Sequence, residues 1–231
     1  MKIADQIPFE LFAPEAPSFN NFVAGDNGEL LALLTTFAEP HPAATQHSAY
    51  VFWGGPGVGK THLLTALGSA AAAHALGHIM LAAGEPWPTD PFIDEALLCV
   101  DNADALSDSE QAWLFTAFNH VAQRGGCIVA TGHAPPGLWM MRDDIRTRMG
   151  SGIAMEIVPI PQDGLMQALE IYAKSRGFVL SKEVLTYVLS HTRRDIGSLC
   201  QTLAGVDQLA LAQKRAVTIP LLRMYFAQQG Q

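Results

Sequence analysis

Cysteine is scarce in this chain. The three residues, Cys99, Cys127 and Cys200, lie far apart and form no CxxC pair. An odd, scattered set speaks against a disulfide framework. Cys99 and Cys127 sit in apolar runs, where a small buried thiol is expected. The eight histidines show no paired-ligand spacing, so no structural zinc is expected. Charge is thin as well: 16% of 231 residues, with 14 Lys/Arg against 22 Asp/Glu and a net charge of −8. Grip on DNA comes from neutralising phosphates with Lys and Arg. The longest basic run here is Arg193-Arg194, so no independent DNA-binding domain is expected, although a local patch is allowed. No apolar run approaches the ~20 residues of a membrane span. The N-terminus carries no signal-peptide pattern. These absences point to a cytoplasmic location and no membrane partner. Apolar residues are abundant at 49%, enough to bury one large core or two smaller ones.

One segment carries most of the chemistry. Gly54-Gly55-Pro56-Gly57-Val58-Gly59-Lys60-Thr61 is a complete G-x-x-x-x-G-K-T. It follows the apolar run Ala49–Trp53 and precedes a helix-like stretch, His62 to Leu76. This is the context of a phosphate-binding P-loop. Glycines let the backbone turn so that successive N–H groups face phosphate oxygens. Lys60 is expected to reach the β- and γ-phosphates and Thr61 to ligate Mg2+. The following helix N-terminus favours the anion. A nucleoside di- or triphosphate with Mg2+ is therefore the expected ligand.

Around this loop, strand and helix patterns alternate. Residues 1–17 read as an extended arm broken by Pro8, Pro14 and Pro17. Asp26–Ala38 reads as a helix capped near Asp26, and Glu39–Ser48 as a loop. His78–Ala82, Ala96–Asp101, Gly126–Thr131 and Ile153–Val158 read as further strands. Ser107–Ala122 reads as a helix opened by a Ser107/Glu110 capping box, with Trp113, Leu114, Ala117, Phe118 and Val121 on one face. Residues 143–149 suit a short helix. The pattern predicts an α/β fold, a parallel sheet with helices on both faces. After Pro161 only helices remain: Leu165–Arg176, Lys182–Ser190, Asp195–Ala212 and Ile219–Gln228. The expected division is an arm at 1–17, a base at 18–160 and a helical lid at 161–231. The four tryptophans are expected to pack in the interior, because no basic groove accompanies them.

Asp101 ends a buried strand downstream of the P-loop. With a P-loop present, such an acid is expected to hold Mg2+ through water; without one it is an ordinary turn residue. Asn102 follows it. An amide can position a water but cannot take a proton at neutral pH, so weak hydrolysis by the chain alone is expected. Asp104 is the nearest other carboxylate, in a turn.

Together these residues resemble an AAA+ ATPase module of the DnaA-like initiator clade, and within it the Hda family of DnaA regulatory inactivators. Phe19-Asn20-Asn21-Phe22-Val23-Ala24-Gly25-Asp26-Asn27 resembles the clade's lead-in segment. Gly132-His133-Ala134-Pro135-Pro136 resembles its sensor 1 turn, and Asp101-Asn102 is shared with Hda-like proteins. The resemblance implies an AAA+ base with a helical lid and no DNA-binding domain of its own. It implies that Val23, His62 and Thr131 join the nucleotide contacts. It also implies an arginine finger acting in trans from the run Asp143–Gly150, with Arg148 as the matching position. Arg142 and Arg146 compete for that role, and a surface ion pair with Asp143 or Asp144 is the plainer reading of Arg148. The clade's lid arginine is missing, because its position is Gly197; Arg194, three residues earlier, could substitute if its helix starts early enough, or could simply be solvated.

The arm adds a separate feature. Gln6-Ile7-Pro8-Phe9-Glu10-Leu11-Phe12 resembles the peptide by which many proteins dock on the bacterial sliding clamp. Gln6 would anchor it by hydrogen bonds, while Phe9, Leu11 and Phe12 fill a groove and Pro8 pre-extends the chain. A free tail or an edge strand would read the same. The resemblance implies a negative regulator of replication initiation that docks on the clamp and stimulates ATP hydrolysis by a DnaA-type initiator. A self-sufficient AAA+ ATPase of the helicase-loader kind and a nonenzymatic clamp–initiator adaptor are the alternatives, and homo-oligomerisation is left open.

Overall fold

The computed structural model describes residues 16–37 and 48–229. These residues fall into two compact units that divide between Pro159 and Ile160. The clamp-like peptide Gln6–Phe12 and most of the expected loop Glu39–Ser48 lie outside the described residues.

The first unit is built on five parallel strands: β1 (Ala49–Trp53), β2 (His78–Ala82), β3 (Leu97–Asp101), β4 (Cys127–Gly132) and β5 (Ile153–Glu156), in the order β2-β3-β4-β1-β5. The central strands β1, β3 and β4 are buried nearly throughout because helices cover both faces. Successive side chains point to opposite faces. On one face Val51, Leu98, Val100, Ile128 and Ala130 pack with Leu114, Ala117 and Phe118 of α3 (Asp108–Gln123) and Ile145 and Met149 of α4 (Asp143–Gly150). On the other, Tyr50, Phe52, Cys99 and Val129 pack with Leu30, Leu34 and Phe37 of α1 (Gly28–Phe37) and Leu63, Leu64 and Leu67 of α2 (Lys60–Ala73). Cys99 and Cys127 are buried here, and burial raises both thiols, Cys127 to about 12.

Two boundaries differ from expectation for one reason. The first helix starts at Gly28, two residues after Asp26, and β5 stops at Glu156. Asn27 is buried between them. Its amide donates to the Ala24 and Val158 carbonyls, both at 2.9 Å, and accepts from the Val158 N–H at 2.7 Å. Those bonds fasten the lead-in segment to the end of β5. The Ser107/Glu110 capping box on α3 is present as expected.

Trp139, 2% exposed, is the largest fully buried side chain, and its Nε1–H donates to the Ala134 carbonyl at 2.6 Å. A Cβ at Gly132 would come within 2.5 Å of its ring, so glycine makes room for the indole. Trp87 and Trp113 meet edge to face at 5.2 Å. Trp139→Ala should cost about 3–5 kcal/mol, read as a lowered denaturant midpoint with an unchanged slope.

Among the described residues the second unit holds four helices: α5 (Gln162–Ser175), α6 (Lys182–His191), α7 (Ile196–Gln213) and α8 (Ile219–Gln229). Leu169, Leu185, Val188, Leu199, Leu203 and Leu222 form its core. Ser181 caps α6 and Asp195 caps α7 through the Ser198 N–H at 2.8 Å. Gly177, at φ +82°, lets the chain turn out of α5.

Candidate functional site

The glycine-rich loop leaves the carboxyl end of β1, where open parallel sheets bind ligands. The Gly54 N–H donates to the Gly132 carbonyl at 3.1 Å, tying the loop to β4. Gly59 has φ +100°, and a Cβ there would meet the Phe22 ring at 2.6 Å. Glycine therefore permits both the left-handed turn and the close seat of the lead-in segment. α2 begins at Lys60 with no side chain capping its first turn. Those backbone donors suit an external anion.

Lys60 is only 6% exposed. Its Nζ donates to the carbonyls of Gly54 at 2.8 Å and Gly55 at 2.9 Å. Burial pulls this ammonium below its ordinary value of 10.5, while the charges of Asp101 and Asp104 act the other way. A buried cation held mainly by carbonyls is well matched to a polyanion.

Asp101, also 6% exposed, gathers three expected residues around one carboxylate. Oδ2 accepts from the Thr61 hydroxyl at 2.6 Å. Oδ1 accepts from the Thr131 hydroxyl and, at 3.1 Å, from the Asn102 N–H. Asn102 stands at φ +52°, a left-handed conformation that Asn tolerates better than most residues. The Thr61 hydroxyl beside the Asp101 carboxylate fits Mg2+, which keeps several waters and takes few protein oxygens.

The remaining expected residues are placed less uniformly. The His62 ring donates from Nε2 to the Ser18 carbonyl at 3.0 Å and lies 5.6 Å from Phe22. It thus fastens the lead-in segment, in which Val23 is half-buried. Arg194 lies ahead of Asp195, the α7 cap, and its Nη1 donates to Gln162 at 3.3 Å. The helix starts at Ile196, so it does not carry Arg194 on the face of Gly197. Asp104 is engaged by His133, whose N–H donates at 2.8 Å and whose Nδ1 lies 3.0 Å away.

The three candidate finger arginines separate clearly. Arg142 pairs with Asp144 at 2.7 Å, and Arg146 pairs with Asp143. Arg148 makes no ion pair among the described residues. Its Nη2 donates to Asn119 Oδ1 and its Nη1 to the Asp144 carbonyl, both at 3.1 Å. Its guanidinium sits 4.3 Å from the Phe115 ring centroid. Sequence reasoning missed Asn119 and Phe115. Their spacing of four on α3 was the available signal: a neighbouring stripe beside the apolar face.

Two family models match parts of the chain. "Hda, lid domain" matches residues 162–226, and "Bacterial DnaA ATPase domain" matches residues 15–82. The fold is similar to domain III of the replication initiation protein DnaA from Thermotoga maritima, with 18% identity and a TM-score of 0.71 over 94% of this chain and 98% of that one. It is similar to AMPPCP-bound DnaA from Aquifex aeolicus, with 20% identity and a TM-score of 0.68 over 89% and 70%. The RuvB Holliday junction branch migration motor of Thermotoga maritima also matches, with 15% identity and a TM-score of 0.63 over 91% and 71%. At such identities the likeness is one of fold.

Proposed function

The chain is an Hda/DnaA-like AAA+ protein, and on that footing we propose that it is a negative regulator of replication initiation. In this reading it binds ADP or ATP with Mg2+, docks on the sliding clamp through Gln6, Phe9, Leu11 and Phe12, and stimulates ATP hydrolysis by a DnaA-type initiator. Gly54–Gly59 and Lys60 would hold the phosphates, and Thr61 with Asp101 the Mg2+. The bound nucleotide would supply a rigid interface and not a turnover cycle.

One observation carries the proposal. Arg148 is the α4 arginine left without a carboxylate partner among the described residues, yet it is held in place by Asn119 and Phe115. A pre-positioned cation of that kind can stabilise transition-state charge on a neighbour's phosphate. The self-sufficient ATPase reading has less support. Asn102 cannot act as a base, and His133 engages Asp104. Gly197 offers no lid charge. For these reasons a chain that retains nucleotide, with little turnover of its own, is the better reading.

The test is reconstitution. Purified chain, initiator loaded with ATP, clamp and DNA are mixed and phosphate release is followed. Acceleration by the chain is expected; none would defeat the proposal. The clamp arm is tested separately. Gln6, Leu11 and Phe12 replaced together by Ala should abolish clamp capture in a pull-down and leave nucleotide affinity unchanged. Capture that persists removes the arm from the account.

A further inference from the structure

Positive charge is unevenly placed along this chain. Residues 160–231 carry eight Lys/Arg and five Asp/Glu, a net of +3, whereas residues 17–159 carry five and fourteen, a net of −9. One face of the second unit joins that charge to aromatic rings. Tyr187 and His191, four residues apart on α6, stack with centroids 3.9 Å apart and planes 18° apart. Phe226 of α8 lies 6.1 Å from His191 and 6.4 Å from Tyr187. The Arg223 guanidinium stands 5.9 Å from the Tyr187 centroid. His191 and Arg223 are exposed, while Tyr187 and Phe226 are half-buried. His191 Nδ1 lies 2.9 Å from the Tyr187 carbonyl and 2.8 Å from the Ser190 hydroxyl, contacts that hold the ring in its stack. α6 ends at His191, and the exposed Arg193 and Arg194 follow directly; Arg193 stands in a long surface ion pair with Asp195, at 3.5 Å, which a phosphate can displace at little cost. Glu183, one turn before Tyr187, marks the acidic end of the face.

We propose that this face binds single-stranded nucleic acid, with a base against the Tyr187–His191 stack and backbone phosphates on Arg223, Arg193 and Arg194. Flat rings serve any base, and cations beside them track the backbone. A duplex keeps its bases stacked inside and would use only the charges. An acidic protein face would likewise leave the rings idle. The proposal stands independently of clamp docking and of Arg148.

The experiment is fluorescence anisotropy of a labelled oligo(dT) titrated with the full chain at low salt. Saturable binding is expected, weakening with salt at a log–log slope of about −2 for three phosphate contacts. Arg193→Glu with Arg223→Glu should weaken binding at least tenfold. His191→Ala, at an exposed position where the fold has little to lose, should weaken single-strand binding about fivefold or more and leave weak duplex binding unchanged. ADP affinity, measured on the same variants, reports that they remain folded, and Lys60→Ala should bind oligo(dT) as the parent does. No binding at low salt, equal binding by the variants, or duplex bound as tightly as single strand would each overturn the proposal. So would a charge-reversal variant whose only change is altered self-association in sedimentation, since that assigns the face to a second copy's acidic unit.

Discussion

Arg148→Ala is expected to cut stimulation of initiator ATP hydrolysis by about 10³-fold or more, with the chain's own ADP affinity unchanged. The size follows from where a guanidinium acts. Charge that develops on a transferring phosphoryl group meets a cation already in place, with no reorganisation to complete. Asn119 and Phe115 supply that order from α3: one holds Nη2 at 3.1 Å, the other lies 4.3 Å beneath the guanidinium. Asn119→Ala keeps the charge and loosens its aim, so a smaller loss, on the order of 10²-fold, is expected. Arg146→Ala should change little, because Asp143 already holds that side chain. Phosphate release in the reconstituted mixture reads all three. Equal losses for Arg146→Ala and Arg148→Ala would mean that the finger has been misassigned.

Lys60→Ala is expected to weaken ADP binding by about 2–5 kcal/mol, roughly 30-fold to several-thousandfold. Its ammonium is nearly sealed from solvent and bonded to two loop carbonyls, so little water can take its place. The pH dependence has a definite sign. Burial lowers the folded value below 10.5, so the unfolded chain holds this proton to higher pH than the folded one. The unliganded fold therefore gains stability as pH rises through the interval below 10.5, where the cost of burying the charge is relieved. A bound polyphosphate favours the charged form, so ADP binding should take up protons in that same alkaline interval. Titrations in buffers of different ionisation enthalpy measure that uptake. Binding heats independent of buffer throughout the interval would contradict it.

How much of this was legible in the sequence depended on distance along the chain. The P-loop and the buried strands are local patterns, and the parallel sheet followed from their alternation. Its three central strands are apolar on both faces and announced themselves. The Ser107/Glu110 box was readable because its two partners are three residues apart. Contacts across long separations were not. Asn27 bonds to Val158 over 131 residues and resets two element boundaries. Asn119 holds Arg148, and His133 holds Asp104, each across 29 residues. No periodicity encodes such pairs. They exist because β4 brings the turn after it alongside the turn after β3, and because α3 and α4 cover the same face of the sheet. Arg194 shows the reverse limit: its placement turned on a helix start one residue later than the pattern suggested.

The account rests on the phosphate cradle of Gly54–Thr61, and calorimetry of the purified chain with ADP and Mg2+ tests it most directly. A saturable, one-site heat that disappears in Lys60→Ala is the predicted result. No heat with either ADP or ATP, from protein shown to be folded, would contradict it.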